Sequence, residues 1–500
     1  MNGQLLFVGG DLSGIQKFIY NISSKRAMVS LKGRSAWLKD YTDDVCNRIL
    51  AIPAIAGSGY SEKEMKIYCS GGKFYLQVPD NEIVRKEIDK VRTDAEKELW
   101  EKHKGQLAIN IAYVSFCYEG ESVCVNGEKG NIGILWRHVT ERFNMLKNQK
   151  FKHLLTESYD DFFEVKEVGG NARVCEVTGV EGAKERKPIF KDKEELKEET
   201  LCVLDSVWEQ IEIGKRLRNK EGFKMLEDYA GNTYLGIMRM DVDGLGKRFA
   251  EGFRTMDEYC TFSNTLDYFF DAEKGKLREL YMNNDYYEYL NIVYAGGDDI
   301  FVVGRWDKTI DFAETIHNAF ETFCSKELKD SSLSISGGVA ILNPKFPIAK
   351  AAEMAGDAED AAKKYRTEKN AFNMFGESLS WEKEFVYVKS YKNQFVKLIQ
   401  ENGLSHGILL KIMTYANMVK ENQEIERGNS KRNRMPNLSY FWHTAYYLTR
   451  YMGKENNDSA VKNFCKDLRD RQLHSPEQFR LMSIAARWAE LELRINNSNK

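Results

Sequence analysis

The sequence predicts an α+β protein with two ferredoxin-like domains, a helical segment between them and a C-terminal helical bundle. A strand, a glycine turn, a helix and a glycine hairpin follow one another twice along the chain, which indicates an internal repeat. The residues from about 385 onward follow a helical period. We expect the domain bounds to be 1–166, 167–225, 226–384 and 385–500.

Length and charge restrict the class of the protein. Its 500 residues suffice for roughly three domains. The net charge of −2 does not point to a nucleic acid or to a membrane surface. No apolar run approaches the ~20 residues that a membrane helix needs, and the nine cysteines are scattered, which is typical of reduced thiols in a cytosol. We therefore expect a cytoplasmic protein that does not bind a membrane.

The second ferredoxin-like domain contains a glycine hairpin with paired carboxylates. The runs "YLNIVYA" and "IFVVGRW" enclose Gly296, Gly297, Asp298 and Asp299, and their β-branched and aromatic residues favour strands. In isolation such a hairpin is often only a polar turn. An upstream apolar run, however, ends in Asp241, so the three aspartates converge if the strands are neighbours.

That convergence predicts a metal site. Three like charges at one point are costly unless a cation lies among them, and carboxylate oxygens are the ligands of hard divalent cations. After Asp241 the chain turns at Gly244 and enters a helical pattern, whose first N–H groups would face phosphate oxygens.

Two lysines end an alanine-rich helix downstream. Lys363 and Lys364 close the run "AEMAGDAEDAAKK". A basic helix end is usually solvated, but in a nucleotide site these two lysines would offset the charge of a triphosphate.

The N-terminal part of the chain repeats the layout with fewer carboxylates. Aligning Asp11 with Asp241 places Gly14 on Gly244. The first copy keeps Asp11 alone of the three aspartates. We expect it to be a non-catalytic nucleotide platform or a structural partner.

The glycine hairpin of the first copy has no aspartates. Aligning Gly72 of "SGGKF" with Gly297 of "AGGDD" places Lys73 and Phe74 where the second copy has its aspartate pair.

Four stretches resemble the large, polymerase-like subunit of type III CRISPR effector complexes, most closely the type III-A version. They are "GDLSGIQKFIYNISSKRAMVSLKGRSAWL", "MDVDGLGKRF", "GGDD" and "SISGGVAILNPKFPIAKAAEMAGDAEDAAKK". The first stretch is the most specific because it is long, whereas diguanylate cyclases carry a motif related to "GGDD". The resemblance implies two facing palm domains with ATP between them and synthesis of a cyclic oligoadenylate messenger. It also implies partner subunits, a guide RNA and activation by target RNA.

The reaction expected from this resemblance is a metal-dependent nucleotidyl transfer on ATP. Two Mg²⁺ or Mn²⁺ ions would activate the attacking hydroxyl and stabilise the leaving pyrophosphate. Asp241, Asp298 and Asp299 are the expected catalytic residues and metal ligands. The expected nucleotide contacts are Gly244, Leu245, Gly246, Lys247, Lys363, Lys364, Asp11 and Gly14.

Two parts of the family pattern are missing. The family commonly starts with a nuclease domain built on an adjacent His-Asp pair, and none of the seven histidines here precedes an aspartate. We therefore expect a chain without the N-terminal nuclease domain and its DNase activity.

The family often has a four-cysteine zinc ribbon built from two C-x-x-C motifs. Here Thr178 stands where Cys175 would have its partner cysteine, and Asp205 stands where Cys202 would have its partner. Structural zinc needs four N or S ligands, so we expect the purified protein to hold no stoichiometric zinc.

Other functions stay open from the sequence. A non-enzymatic scaffold subunit of the complex would not need the carboxylates. A free-standing diguanylate or adenylate cyclase would need neither the tandem domains nor the bundle. Some family members without the nuclease domain are thought to join ATP to S-adenosylmethionine, and no residue here distinguishes that product from a cyclic oligoadenylate.

Overall fold

The computed structural model describes most of the chain. The described residues are 3–22, 27–103, 105–120, 122–157, 159, 173–174, 184–185, 201–203, 205–224, 226–230, 233–426, 435–453 and 458–498. The chain divides into two compact units, one with residues 1–335 and 340–357 and the other with 336–339 and 358–500. The first unit holds both glycine hairpins. The domain bounds 1–166, 167–225, 226–384 and 385–500 stay predictions.

Strands and helices are numbered in chain order. The strands are β1 Leu5–Ser13, β2 Lys66–Ser70, β3 Lys73–Pro79, β4 Ala108–Glu119, β5 Ser122–Val125, β6 Glu128–Gly130, β7 Arg173–Val174, β8 Lys184–Glu185, β9 Leu201–Val203, β10 Leu235–Val242, β11 Leu290–Gly296, β12 Asp299–Arg305, β13 Ile335–Leu342, β14 Ala371–Met374 and β15 Glu377–Ser380. The α-helices are α1 Ile15–Tyr20, α2 Ala27–Leu50, α3 Pro53–Ala56, α4 Glu62–Met65, α5 Glu82–His103, α6 Gly133–Lys147, α7 Lys152–Glu157, α8 Asp205–Glu221, α9 Leu226–Ala230, α10 Leu245–Glu251, α11 Met256–Phe270, α12 Lys276–Asn283, α13 Trp306–Phe323, α14 Ile348–Tyr365, α15 Val386–Glu401, α16 Gly407–Glu426, α17 Ser439–Met452, α18 Ser459–Asp467 and α19 Pro476–Ser498.

The two copies of the repeat build equivalent sheets. The first sheet has the order β2-β3-β1-β4-β5-β6. The second copy has the order β11-β12-β10-β13, and residues 335 and 340–342 of β13 belong to the same unit as the first sheet. In each copy the strand that carries the aspartate is central, with its glycine hairpin on one side. The second and third strands of each copy form that hairpin, which is the ferredoxin-like arrangement. The predicted α+β class is confirmed.

The inter-palm segment is not purely helical. Within its described residues, β7, β9 and β8 form a small sheet in that order, and α8 follows. The sequence prediction of a helical segment missed this sheet because each strand has only two or three residues, too few for a periodic pattern. The side chain of Cys202 and all of Cys175 lie outside the described residues.

Helices α2 and α8 approach each other at two glycines. A Cβ added to Gly33 would lie 1.8 Å from the backbone oxygen of Gln210. A Cβ added to Gly214 would lie 2.0 Å from the backbone oxygen of Val29. Side chains at either position would force the helices apart, so this contact requires glycine on both helices.

Arg34 of α2 secures the end of α1. Its side chain is buried, and its guanidinium donates hydrogen bonds to the backbone oxygens of Phe18 and, at 2.8 Å, of Asn21. Carbonyl groups in the last turn of a helix have no partner within the helix. Arg34 therefore links the two halves of the long N-terminal motif.

His103 is enclosed by aromatic rings at the end of α5. Its ring centroid lies 4.5 Å from that of Trp37 and 5.0 Å from that of Phe18. Burial, followed by the positive charges of Arg34 and Lys102, lowers the pKa of His103 from 6.5 to about 3. The folded protein therefore resists taking up a proton that the unfolded chain accepts.

Stability should consequently fall as the pH drops from about 6.5 towards about 3, because only the unfolded state gains the proton in that window. His103→Leu removes this penalty. We expect the difference in unfolding free energy between variant and wild type to move in the variant's favour by roughly 2–3 kcal/mol between pH 8 and pH 4.5. Thermal unfolding of both proteins at both pH values checks this, and parallel pH profiles would contradict it.

The second unit combines a short sheet with a helical bundle. Residues 336–339 of β13 pair parallel with β14, and β14 pairs antiparallel with β15. Arg480 of α19 connects sheet and bundle by donating to the Ser378 backbone oxygen at 2.8 Å and the Tyr365 hydroxyl at 2.9 Å. The predicted C-terminal helical bundle is confirmed within the described ranges. No helix in those ranges has the length and apolar character needed to cross a membrane.

Candidate active site

The second hairpin, β11–β12, brings the predicted aspartates together. Strand β12 pairs antiparallel with β10, and Asp299 lies directly opposite Asp241. Gly296 pairs with Asp299 across the hairpin, so Gly297 and Asp298 form the turn. Gly297 has a φ of +67°, which glycine adopts without strain. The Asp298 backbone oxygen accepts a hydrogen bond of 3.1 Å from the Val242 N–H.

Asp241 and Asp299 form an unfavourable pair without a cation. Residues directly opposite on antiparallel strands have Cβ atoms about 4.5–5.5 Å apart, and like charges there are destabilising. The buried Arg239 guanidinium lies 3.6 Å from the Asp299 carboxylate. Carboxylate oxygens on adjacent strands are the ligands that a hard divalent cation prefers, so the pair of Asp241 and Asp299 fits such a cation.

Asp243 fixes the chain immediately after Asp241. Its carboxylate accepts a hydrogen bond of 2.8 Å from the Ser334 hydroxyl, and its N–H donates to the Ser334 backbone oxygen at 2.8 Å. Gly244 follows with a φ of +72°. Neither Gly244 nor Gly246 has an atom within 4 Å of an added Cβ, so the backbone here is open to a ligand.

The other predicted nucleotide contacts differ in exposure and in their ion pairs. Leu245 is buried and Lys247 is exposed. Lys363 and Lys364, in the second unit, have carboxylate partners one helical turn earlier: Lys363 lies 2.7 Å from Glu359 and Lys364 lies 3.6 Å from Asp360. These carboxylates thus neutralise part of the positive charge that the two lysines would offer to a triphosphate.

The first copy has the opposite charge pattern. Asp11 lies directly opposite Lys73 in the pairing of β1 with β3. Asp11 is also buried, and its carboxylate lies 2.8 Å from the Lys147 ammonium. A Cβ added to Gly14, which has a φ of +94°, would lie 2.3 Å from the backbone oxygen of Gln106. Lys147 therefore places a positive charge beside Asp11, and Lys73 stands where the second copy has Asp299.

The strand register corrects the sequence alignment of the hairpins by one residue. Lys73 faces Asp11 as Asp299 faces Asp241. The Gly72 backbone oxygen accepts from the Leu12 N–H at 2.9 Å, as that of Asp298 does from Val242. Gly72 thus corresponds to Asp298, and the match of Gly72 with Gly297 was wrong. The alignment matched the glycine pairs of the two hairpins. The equivalent positions are instead set by the pairing of each hairpin with its central strand.

Two tyrosines that the sequence reasoning missed join the hairpins. A Cβ added to Gly71 would lie 3.3 Å from the Tyr294 hydroxyl, and one added to Gly297 would lie 2.9 Å from the Tyr68 hydroxyl. Each tyrosine follows a register irregularity at the same place in its hairpin. The tip of each hairpin therefore lies against the tyrosine of the other. The only sequence signal was a tyrosine two or three residues before each glycine pair.

Asp267 of α11 is a second residue that the sequence reasoning missed. Its carboxylate accepts a hydrogen bond from the Gly297 N–H. Burial raises the pKa of Asp267 to about 7, against the lowering effect of that hydrogen bond, and the charges of Asp271 and Asp298 raise it further. Nothing in an amphipathic helix sequence distinguishes this aspartate from a surface residue. Asp267 fixes the turn that carries Asp298.

Comparisons with known proteins give one consistent result. Residues 234–373 match the family model "Cas10/Cmr2, second palm domain", and residues 4–167 match "Csm1 subunit domain B". Together the two models match more than half of the chain. They include both hairpins, β1 and β10.

Curated relatives are named "CRISPR system single-strand-specific deoxyribonuclease Cas10/Csm1 (subtype III-A)". The protein of Enterococcus italicus is 25% identical over 75% of this chain and 54% of its own length. That of Mycobacterium tuberculosis is 25% identical over 71% of this chain and 52% of its own. That of Streptococcus thermophilus is 24% identical over 91% of this chain and 64% of its own. The chain thus spans about half to two thirds of the length of these relatives.

Solved structures share the fold. A Csm1–Csm4 cassette in complex with AMPPNP has a TM-score of 0.63 at 19% identity and covers 97% of this chain and 70% of that chain. A Csm1–Csm4 cassette in complex with cA4 has a TM-score of 0.61 at 18% identity, with 97% and 70% coverage. The two successive domain matches and the curated relatives identify the chain as a relative of the Cas10/Csm1 proteins of type III-A CRISPR systems.

Proposed function

We propose that this chain is an RNA-activated nucleotidyltransferase subunit of a type III CRISPR complex and makes a cyclic oligoadenylate-type messenger from ATP. The observation that carries the proposal is the pairing of Asp241 with Asp299 beside the Gly297-Asp298 turn. The proposed partners are the other subunits of the complex, the guide RNA and the target RNA. The proposed location is the cytoplasm.

The aspartates would hold Mg²⁺ or Mn²⁺ at the reacting phosphates. When bound, such ions activate the attacking hydroxyl and stabilise the leaving pyrophosphate. Asp241 and Asp299 supply oxygen ligands from adjacent strands, and Asp298 supplies a third from the turn. Arg239 lies beside Asp299 and limits the repulsion among the carboxylates.

The remaining residues would bind nucleotides. The open backbone from Gly244 through Gly246 would contact phosphate oxygens, with Lys247, Lys363 and Lys364 adding positive charge. We assign Asp11 and Gly14 to a second nucleotide on the first copy. The first copy orients a substrate but does not catalyse nucleotidyl transfer, since Lys73 stands in the place of Asp299.

The reconstituted complex provides the test. With guide RNA, target RNA, ATP and Mg²⁺ or Mn²⁺, we expect mass spectrometry to detect cyclic oligoadenylates only when target RNA is present. Parallel reactions with S-adenosylmethionine separate the two products, because a conjugate of ATP and S-adenosylmethionine would replace the cyclic product. An assembled complex that binds target RNA but consumes no ATP would instead identify a scaffold subunit.

A further inference from the structure

Strands β4 and β5 of the first sheet place two thiols side by side. Cys117 lies directly opposite Cys124 in their antiparallel pairing, and neither is in a disulfide. Glu119 follows two residues later on the same strand, so its side chain projects from the same face. One sulfur from each cysteine and one Glu119 carboxylate oxygen lie within 4.8 Å of one another.

The sheet fixes these groups yet leaves them accessible. Val123 and Val125, on the opposite face of β5, are fully buried and anchor the strand. Cys117 and Cys124 are half-buried and Glu119 is exposed. An ion from solution can therefore reach three ligand atoms whose backbone positions are set by strand pairing.

Lys129 provides a charge balance. It lies opposite Cys124 in the pairing of β5 with β6, and its ammonium is 3.2 Å from the Glu119 carboxylate. Two thiolates and one carboxylate together with a divalent cation would leave one negative charge, which Lys129 neutralises. Partial burial, then the neighbouring Cys124 and Glu119, raise the pKa of the Cys117 thiol. A bound cation would reverse the effect of those neighbouring charges.

We propose that Cys117, Glu119 and Cys124 form a binding site for a thiolate-preferring divalent cation such as Zn²⁺. Thiolate ligands select zinc over magnesium and manganese. Two sulfurs at about 2.3 Å from a tetrahedral zinc lie about 3.8 Å apart, which the observed spacing allows. Each thiol releases its proton to solvent as its sulfur binds the metal, and water takes the fourth position. The site depends on neither the aspartates nor the proposed nucleotidyl transfer.

Zinc titration of the full chain tests the proposal. The reduced protein carries Cys175→Ser and Cys202→Ser so that thiols outside the described residues do not contribute, and a thiol assay confirms reduction. With excess Mg²⁺ present to occupy the carboxylate site, isothermal titration should find one Zn²⁺ per chain. Cys117→Ser or Cys124→Ser should weaken binding by more than the roughly 10- to 100-fold that losing a group merely hydrogen-bonded to a ligand costs. Glu119→Gln should weaken it less, and Cys260→Ser, at another half-buried thiol, should not change it.

Two results would overturn the proposal. One is the absence of stoichiometric zinc binding by the reduced protein. The other is binding that survives both cysteine substitutions. Circular dichroism of each serine variant shows whether it folds, and Glu119→Gln, an exposed substitution, gives an independent reading if a cysteine variant does not.

Discussion

Replacing Asp298 and Asp299 with alanine should abolish messenger synthesis while leaving the protein folded and assembled. The double variant removes two of the three carboxylates proposed to hold the metal. Turnover should fall at least about a thousandfold, the scale on which removal of an essential catalytic group acts. Product formation by the reconstituted complex, measured by mass spectrometry, checks this.

The same double substitution should leave the unfolding free energy unchanged or raise it slightly. Without a cation, Asp299 repels Asp241 across the strands, so its removal relieves a cost. Loss of the 3.6 Å contact with Arg239 offsets part of that gain. We expect the unfolding free energy to change by no more than about 1 kcal/mol.

Lys73→Ala is the matched control for this experiment. Lys73 occupies the position of Asp299 in the first hairpin and is exposed. Its removal should reduce turnover far less, at most by weakening the binding of one nucleotide. Near wild-type synthesis by the Asp298/Asp299 double variant would place the active site elsewhere.

The second large effect is expected at the contact between α2 and α8. Gly33→Ala places a Cβ 1.8 Å from the backbone oxygen of Gln210, a rigid atom in the middle of a helix. Alanine normally stabilises a helix interior relative to glycine by about 1 kcal/mol. Here the clash should outweigh that gain, and we expect a net loss of at least about 2 kcal/mol, as in overpacked cores.

Gly453→Ala is the control for the helix contact. Gly453 has a φ of −74°, and the nearest atoms to an added Cβ are 3.7 Å away. Its substitution should change stability by less than about 0.5 kcal/mol. Denaturant unfolding of both variants provides the comparison. Equal midpoints for Gly33→Ala and Gly453→Ala would contradict the close approach of the two helices.

The sequence predicts the strands and hairpins of this fold because their signals are local. Apolar runs such as "IFVVG", bounded by glycines, identify β12, and the order of elements then predicts the ferredoxin-like sheet. The convergence of Asp241 with Asp299 follows as soon as β10 and β12 are neighbours. These inferences need only periodicity, turn chemistry and connection rules.

Register and contacts between distant segments could not be predicted in the same way. The one-residue shift of Lys73 onto Asp299 depends on which backbone groups pair with the central strand. The contacts of Tyr68 with Gly297 and of Tyr294 with Gly71 arise only when the two hairpins meet. Asp267 and the Gly33–Gly214 approach likewise join residues far apart in sequence, and a single sequence carries no signal for such pairs.

We infer that the second hairpin holds a cation because Asp299 replaces the lysine of the first. Asp299→Lys restores the charge pattern of the first copy at the position opposite Asp241. The most direct test is uptake of Mn²⁺ by the full chain, followed by the electron paramagnetic resonance signal of the free ion. Mn²⁺ prefers carboxylate ligands, so the cysteine site does not compete. Wild type and Lys73→Ala should take up Mn²⁺ and Asp299→Lys should not, whereas equal uptake by Asp299→Lys and wild type would contradict the account.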